Sequence, residues 1–355
     1  MAHNETNTTE KSASAPSFGP GGGSGGMGSE KAKDFSKTIK QLLAYCKEYL
    51  VVIVIAIVLA CAGAIFNIIG PDKLGEITDL ITNGLMEGID LQAIANVGIF
   101  LAVLYGLGWL FNYIQSVIMA VVTQRISKKL RSDLTKKINA LPLKYFDSSS
   151  HGDILSRVTN DVDTIGQSLN NSLGTLVTSI TTFIGALIMM VLTNWIMALS
   201  AVLATIIGFA LMMIIMKYSQ KYFNSQQQQL GAVNGHMEEI YSGHTVVKAY
   251  NAENSAEQKF DTINTELYDS AWKSQFLSGL MMPIMSFIGN LGYVVVCIVG
   301  AVLAMNGDIG FGVIVSFMVY IRLFTSPLSQ LAQVATNIQS AAAASERVFE
   351  LLSEP

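Results

Sequence analysis

Long stretches free of Asp, Glu, Lys and Arg alternate with charged segments along this chain. Residues 49–71, 91–124, 164–216 and 274–307 are such stretches, and 309–345 is another, interrupted by Arg322 and closed by Ser345. Crossing roughly 30 Å of hydrocarbon takes about 20 mostly apolar residues at about 1.5 Å per residue. Four of the stretches therefore suit one helix each. Residues 164–216 are long enough for two, with Asn194-Trp195 as the turn between them. The pattern predicts an all-α integral membrane fold with six spans, at about 49–70, 92–123, 168–193, 195–216, 278–304 and 309–331.

The charged segments predict the topology. Lys31, Lys33, Lys37, Lys40 and Lys47 precede the first span, whereas the 72–90 connection is an acidic loop (Asp72, Glu76, Asp79, Glu87, Asp90). The second span is followed by Arg125, Lys128, Lys129, Arg131, Lys136, Lys137, Lys144 and Arg157. Because Lys and Arg are retained on the cytoplasmic side, both termini and the two long connections are expected inside and three short connections outside. The long connections, about 124–165 and 217–273, hold few Gly or Pro, so the membrane helices are expected to run on into the cytoplasm. One turn-like element interrupts each, at 146–153 and around 241–244.

Composition narrows the class. Of 355 residues 51% are hydrophobic and 14% charged, against about 25% charged in soluble domains. The net charge of -4 offers no basic footprint for nucleic acid. Cys46, Cys61 and Cys297 are far apart, which reads as small buried hydrophobes rather than a disulfide or metal set. Residues 1–34 form a flexible Gly/Ser-rich tail without the apolar core of a cleavable signal, so the first span is expected to direct insertion. Gly21, Gly23 and Gly26 match G-x-G-x-x-G with no strand before them and carry no nucleotide site.

Three runs, in order, resemble the transmembrane domain of ATP-binding-cassette exporters of the multidrug and lipid type. Leu141–Asp147 followed by His151–Val162 is similar to the first coupling helix of that family and the segment after it. Glu238–Glu253 is similar to the second coupling region, and Ala344–Pro355 to the run that leads into the nucleotide-binding domain. The resemblance implies an exporter-type membrane domain over 35–345 and a junction over 346–355. It implies that Phe146, Asp147, His151, Gly152 and Asp153 dock on the chain's own nucleotide-binding domain, and Ser242, Gly243, His244, Thr245 and Val246 on the partner's. The partners implied are a second transmembrane half, identical or different, nucleotide-binding domains, and a drug, lipid or peptide within a lipid membrane. The chain has no G-x-x-x-x-G-K-[ST] loop and no LSGGQ-like run. ATP and Mg²⁺ are accordingly expected in nucleotide-binding domains outside it, either on a separate polypeptide or, the favoured reading, in a longer protein with a domain boundary at Pro355. Both termini cytoplasmic in the cell membrane is the expected placement.

Candidate pathway residues come from the residues themselves. From Arg322, helical spacing gives Ser326, Ser329, Gln333, Asn337 and Ser340 on one face of the sixth helix. A polar stripe on a membrane helix is costly against lipid, so it faces a cavity or a neighbouring helix. Pro327 removes a backbone hydrogen bond there and predicts a kink. The second helix adds Tyr105, Trp109 and Asn112, and the fifth Asn290 and Tyr293, where a shared cavity and interface packing are equally good explanations. No Asp, Glu or His lies within a span to relay a proton, which argues against a proton-coupled permease. A stand-alone channel, receptor or binding scaffold of the same fold is the alternative. His151, His236 and His244 read as solvated helix residues, and Asp161 and Asp163 as ion pairs beside Arg157. No catalytic or metal constellation is expected.

Overall fold

The structure is a computed structural model that describes residues 34–148 and 150–355; the predicted tail, apart from Asp34, lies outside the described residues, as does Ser149 of the first elbow. Among the described residues there are helices and turns and no strand. A short amphipathic helix α1 (Phe35–Tyr45) and a 3₁₀ turn (Cys46–Tyr49) lead into α2 (Leu50–Glu87). Then come α3 (Leu91–Ala140), the short α4 (Leu143–Ser148) and α5 (His151–Ser156), a π-turn over Arg157–Asp161, and α6 (Val162–Thr193). The chain finishes with α7 (Trp195–Ser242), the short α8 (His244–Ala249), α9 (Glu253–Met305) and α10 (Phe311–Ser353).

Six of these helices are long and apolar enough to cross a membrane, as the charge-free stretches predict. Their boundaries differ in one instructive place. The acidic connection after the first span is not a loop: α2 continues through it to Glu87. Lys73 and Glu76 pair at 2.6 Å one turn apart, and Thr78 and Thr82 donate to carbonyls of the preceding turn. Charge ends the apolar span there without ending the helix. Gly88, at φ 104, ends it in a conformation that favours glycine.

Two caps of one kind close two turns. The Asp90 carboxylate accepts from the backbone N–H groups of Gln92 and Ala93, both at 3.0 Å, and so starts α3. The Asn194 side chain does the same for Ile196 and Met197, at 3.1 and 3.0 Å, and starts α7. With connections as short as Gly88–Asp90, Asn194 and Asn306–Gly310, successive long helices reverse direction. Consequently α1, the α4–α5 elbow, the α8 elbow and the end of α10 all lie on one side. α3, with 50 residues, is about 75 Å long, more than twice the hydrocarbon thickness.

Two apolar clusters organise the packing. One, on the elbow side, joins α1, α3, α6 and α10 through residues such as Leu42, Leu130, Val162 and Val348. The other joins α6, α7, α9 and α10 around Met190, Met197, Val296 and Phe317, with Phe183 and Phe324 stacked at 4.8 Å beside it. α2 and α10 cross with backbone against backbone: a Cβ at Gly312 would lie 2.1 Å from the Gly75 carbonyl oxygen. Membrane helices favour such small-residue crossings because close approach maximises dispersion contact where no hydrophobic drive separates helix from lipid. Asp79 closes the crossing by accepting the Gly312 N–H at 2.7 Å, and Ser316 donates to the Pro71 carbonyl at 2.8 Å. α7 and α9 pack chiefly on each other and form a long arm beside the α2, α3, α6 and α10 bundle.

Candidate functional site

On α10 the predicted polar stripe is exposed from Arg322 to Gln333 and half-buried at Asn337 and Ser340. Arg322, Ser326, Ser329 and Gln333 are exposed and Asn337 is half-buried, while Ile321, Phe324, Pro327 and Val334 on the other side are buried. Arg322 makes no hydrogen bond or ion pair among the described residues. Gln333 donates to Asn337 at 3.1 Å. Gln330, which the spacing argument left out, ties the stripe to the bundle: its Oε1 accepts from Ser179 of α6 at 2.9 Å, and its amide nitrogen donates to Ser326 at 3.4 Å. The four-residue step from Ser326 was the signal that would have found it. Helix α10 runs through Pro327 without a break in its assignment.

The α3 candidates divide. Asn112 packs on Gly63, and Tyr105 on Gly70, where a Cβ would come within 2.1 Å of the phenol oxygen; both therefore sit at the α2–α3 seam. Trp109 is two-thirds exposed and stacks on Tyr113 at 5.6 Å. On α9, Asn290 is exposed and Tyr293 half-buried.

The two elbows are built differently. In the first, Phe146 packs against the elbow-side cluster while Asp147, His151, Gly152 and Asp153 are exposed. Arg157 anchors it, donating to Asp153 at 3.1 Å and approaching Glu350 of α10 at 3.5 Å. In the second, α8 has no buried residue: Ser242, His244, Thr245 and Val246 are exposed and Gly243 is half-buried. Tyr241 and Tyr250 flank it at 87% and 80% exposure. Asn251, at φ 48, turns the chain, and Lys248 bonded to Glu253 at 2.8 Å closes it. That hydrogen bond holds the Glu253 carboxyl below its usual value.

Three ionic and histidine expectations change. Asp161 is buried and is held by Arg347 of α10 through Nε at 2.9 Å and Nη2 at 2.5 Å, a bidentate clamp across two helices. Asp163 pairs instead with Arg131 of α3. His236 is buried, not solvated: its Nε2 lies 3.0 Å from the Ala256 carbonyl, because the facing turn of α9 covers it. His151 and His244 are exposed as expected. Among the described residues no His, Cys, Asp and Glu group is arranged to hold a metal.

A helical, multi-pass membrane protein with two solvent-side elbows on one face is the class these features define. The chain matches the family described as ABC transporter transmembrane region over residues 53–328. It belongs to that family. It is 35% identical over 336 residues to a fatty acid ABC transporter ATP-binding/permease protein of Mycobacterium bovis, covering 84% of this chain and 53% of the relative. It is 31% identical to an uncharacterised ABC transporter ATP-binding protein of Bacillus subtilis, covering 91% of this chain and 53% of that one. An ATP-dependent lipid A-core flippase of Syntrophus aciditrophicus is 27% identical over 68% of this chain and 40% of its own length. The chain thus spans about half the length of the curated relatives it matches.

Proposed function

We propose that this chain is the permease half of an ATP-driven exporter that moves hydrophobic or amphipathic cargo by alternating access. The observation that carries the reading is the pair of elbows. Both lie on one side of the membrane, and in the second Tyr241, Val246 and Tyr250 are 60–87% exposed among the described residues. Exposed aromatic and aliphatic side chains at a hairpin tip far from lipid favour a protein partner. The mycobacterial relative, whose name pairs ATP-binding with permease and of which this chain covers 53%, supports a nucleotide-binding domain as that partner.

In this reading Phe146, Asp147, His151, Gly152 and Asp153 receive one nucleotide-binding domain, and Ser242, Gly243, His244, Thr245 and Val246 the other. ATP and Mg²⁺ bind there, after a junction over 346–355. The elbow side is cytoplasmic, as the Lys and Arg residues flanking it favour. A second transmembrane half, identical or different, completes the pathway. Arg322, Ser326, Ser329, Gln333 and Asn337 line that pathway, supported by the exposure of the first four and by the hydrogen bond that ties Asn337 to Gln333. Tyr105, Trp109, Asn112, Asn290 and Tyr293 complete its wall. The long α7–α9 arm would convert closure of the ATPases into a swing of its membrane end, because a continuous helix pair transmits displacement as a lever.

The test is to isolate the native complex from its source membrane with an antibody to this segment and to weigh it intact. An ABC-type ATPase, fused or separate, is expected, together with ATP turnover that V246D at the second elbow uncouples from cargo. A complex made of this membrane segment alone, binding ligand without nucleotide, overturns the reading in favour of a channel, receptor or scaffold.

A further inference from the structure

Helix α3 divides its cations between two uses. Lys129, Arg131 and Lys137 are half-buried against the bundle and are engaged within the chain, by Glu48, by Asp163 and by the Glu354 carbonyl oxygen. Lys128 and Lys136 lie on the outer face with Ser132 midway between them. All three are exposed, and neither lysine forms an ion pair among the described residues.

Helix α9 carries the opposite sign in the same pattern. Asp261 and Asp269 have the same spacing as the two lysines, with Thr265 midway. All three are exposed, and neither carboxylate forms an ion pair among the described residues. Within its own chain α9 packs chiefly on α7 and α10, so it leaves the outer face of α3 uncovered.

Depth fixes how the two rows would face each other. The charge-free stretch of α3 ends at residue 124 and that of α9 begins at 274, which marks the edge of the hydrocarbon on each. At about 1.5 Å per residue, Lys128 lies about 6 Å beyond that edge and Asp269 about 7.5 Å. Lys136 lies about 18 Å beyond it and Asp261 about 20 Å. The two helices run in opposite directions, so both pairs of opposite charge fall level at once. A headgroup layer, about 5–8 Å thick, reaches Lys128 but not Lys136. A membrane surface therefore leaves half of the basic row unused, whereas an acidic helix of matching spacing uses all of it.

We propose that the outer face of α3 receives α9 of a second copy of this chain, with Lys128 against Asp269 and Lys136 against Asp261. Under two-fold symmetry each pair forms twice. Exposed ion pairs add little affinity one by one, so what they set is the register and the choice of partner. The inference names the second half of the proposed exporter as identical; it rests on that half existing and not on ATP coupling or cargo.

Two differently tagged copies of the full protein, one S132C and the other T265C, co-expressed in their own membrane and treated with a short bismaleimide, test it. A covalent dimer carrying both tags is expected only when both cysteines are present. K128E/K136E on the first copy should cut its yield about tenfold, D261K/D269K on the second should do the same, and the two together should restore it. All four side chains are exposed, so the unfolding temperature of each variant should stay unchanged. K128Q/K136Q, which removes charge without reversing it, should give an intermediate yield. Absence of a doubly tagged dimer, including capture of a different polypeptide by the S132C copy, overturns the proposal. So does a yield that neither reversal lowers, or one that the combined reversals fail to restore.

Discussion

The α2, α3, α6 and α10 bundle and the α7–α9 arm are both made of long apolar helices, yet they are held by different means. In the bundle, α2 and α10 touch backbone to backbone at Gly75 and Gly312, Asp79 caps the crossing, and the Asp161–Arg347 clamp joins α6 to α10. Every one of these needs one partner at one place. The arm is closed by side-chain packing, by the Ser225–Ser270 hydroxyl pair at 2.8 Å and by the Gly208–Ile288 contact. Long rows of its apolar side chains, Leu203, Ile207, Leu211 and Ile214 on α7 among them, remain exposed. The difference teaches that the bundle is fixed by single backbone and ionic partners, whereas the arm is held by packing spread along its length; apolar rows stay exposed on both, as at Val51, Ile55 and Val58 of α2.

The sharpest way to break that contrast is at the glycine crossing. Gly312→Leu must displace the Gly75 carbonyl, and overpacking of this severity should cost about 3 kcal/mol or more. Thermal unfolding in detergent should fall steeply, while Gly106→Ala, with nothing within 4 Å of its new Cβ, should leave it unchanged. If both variants unfold alike, the crossing does not hold the bundle.

Next comes the ionic clamp. Arg347→Ala leaves a buried carboxylate without its bidentate partner, which should cost about 3 kcal/mol, at the low end for a buried pair because Arg347 is about one-third exposed. The double variant Asp161→Asn, Arg347→Ala should recover part of that loss; strict additivity in chemical unfolding would deny the coupling.

The arm should respond far less. Ser225→Ala removes one part-buried hydroxyl pair and is expected to shift unfolding by no more than about 1 kcal/mol. A loss as large as that of the clamp would show the arm to be specified as tightly as the bundle. Smallest of all is the pH response of the second elbow. Glu253 has a depressed carboxyl value, so its contribution is present above the unfolded-state value of about 4.3 and is lost only as pH falls through the lower folded value. A spin label at Thr245→Cys should keep its mobility from neutral pH down to that acid range and loosen below it; loosening near neutrality would exclude Lys248–Glu253 as the closing bond.

Six spans were legible because a bilayer imposes a length on every charge-free stretch, and the α10 stripe because helical spacing is fixed. What escaped the sequence was of two kinds. The helix over Asp72 to Glu87 escaped because hydropathy marks where lipid ends, whereas this helix runs on through the Lys73–Glu76 pair and ends only at Gly88. The clamp escaped because Asp161 and Arg347 are 186 positions apart, and charge alone left Arg157 as the nearer choice. His236 was missed for the same reason: only the return of α9 covers it.

The π-turn at Arg157–Asp161 bears on how the first elbow is aimed. Each such turn holds one residue more than the α-helix it interrupts, and one residue of an α-helix is worth about 100° of rotation about the axis. Excising that extra residue would turn the π-turn into an ordinary α-turn, which still closes one revolution, and so leave α6 seated in the membrane with α4 and α5 aimed nearly as before. The π-turn is therefore the place where this helix tolerates a change of one residue: a chain shortened by one here keeps the bearing of its first elbow, whereas one shortened by one within the regular part of α6 turns the elbow by about 100°.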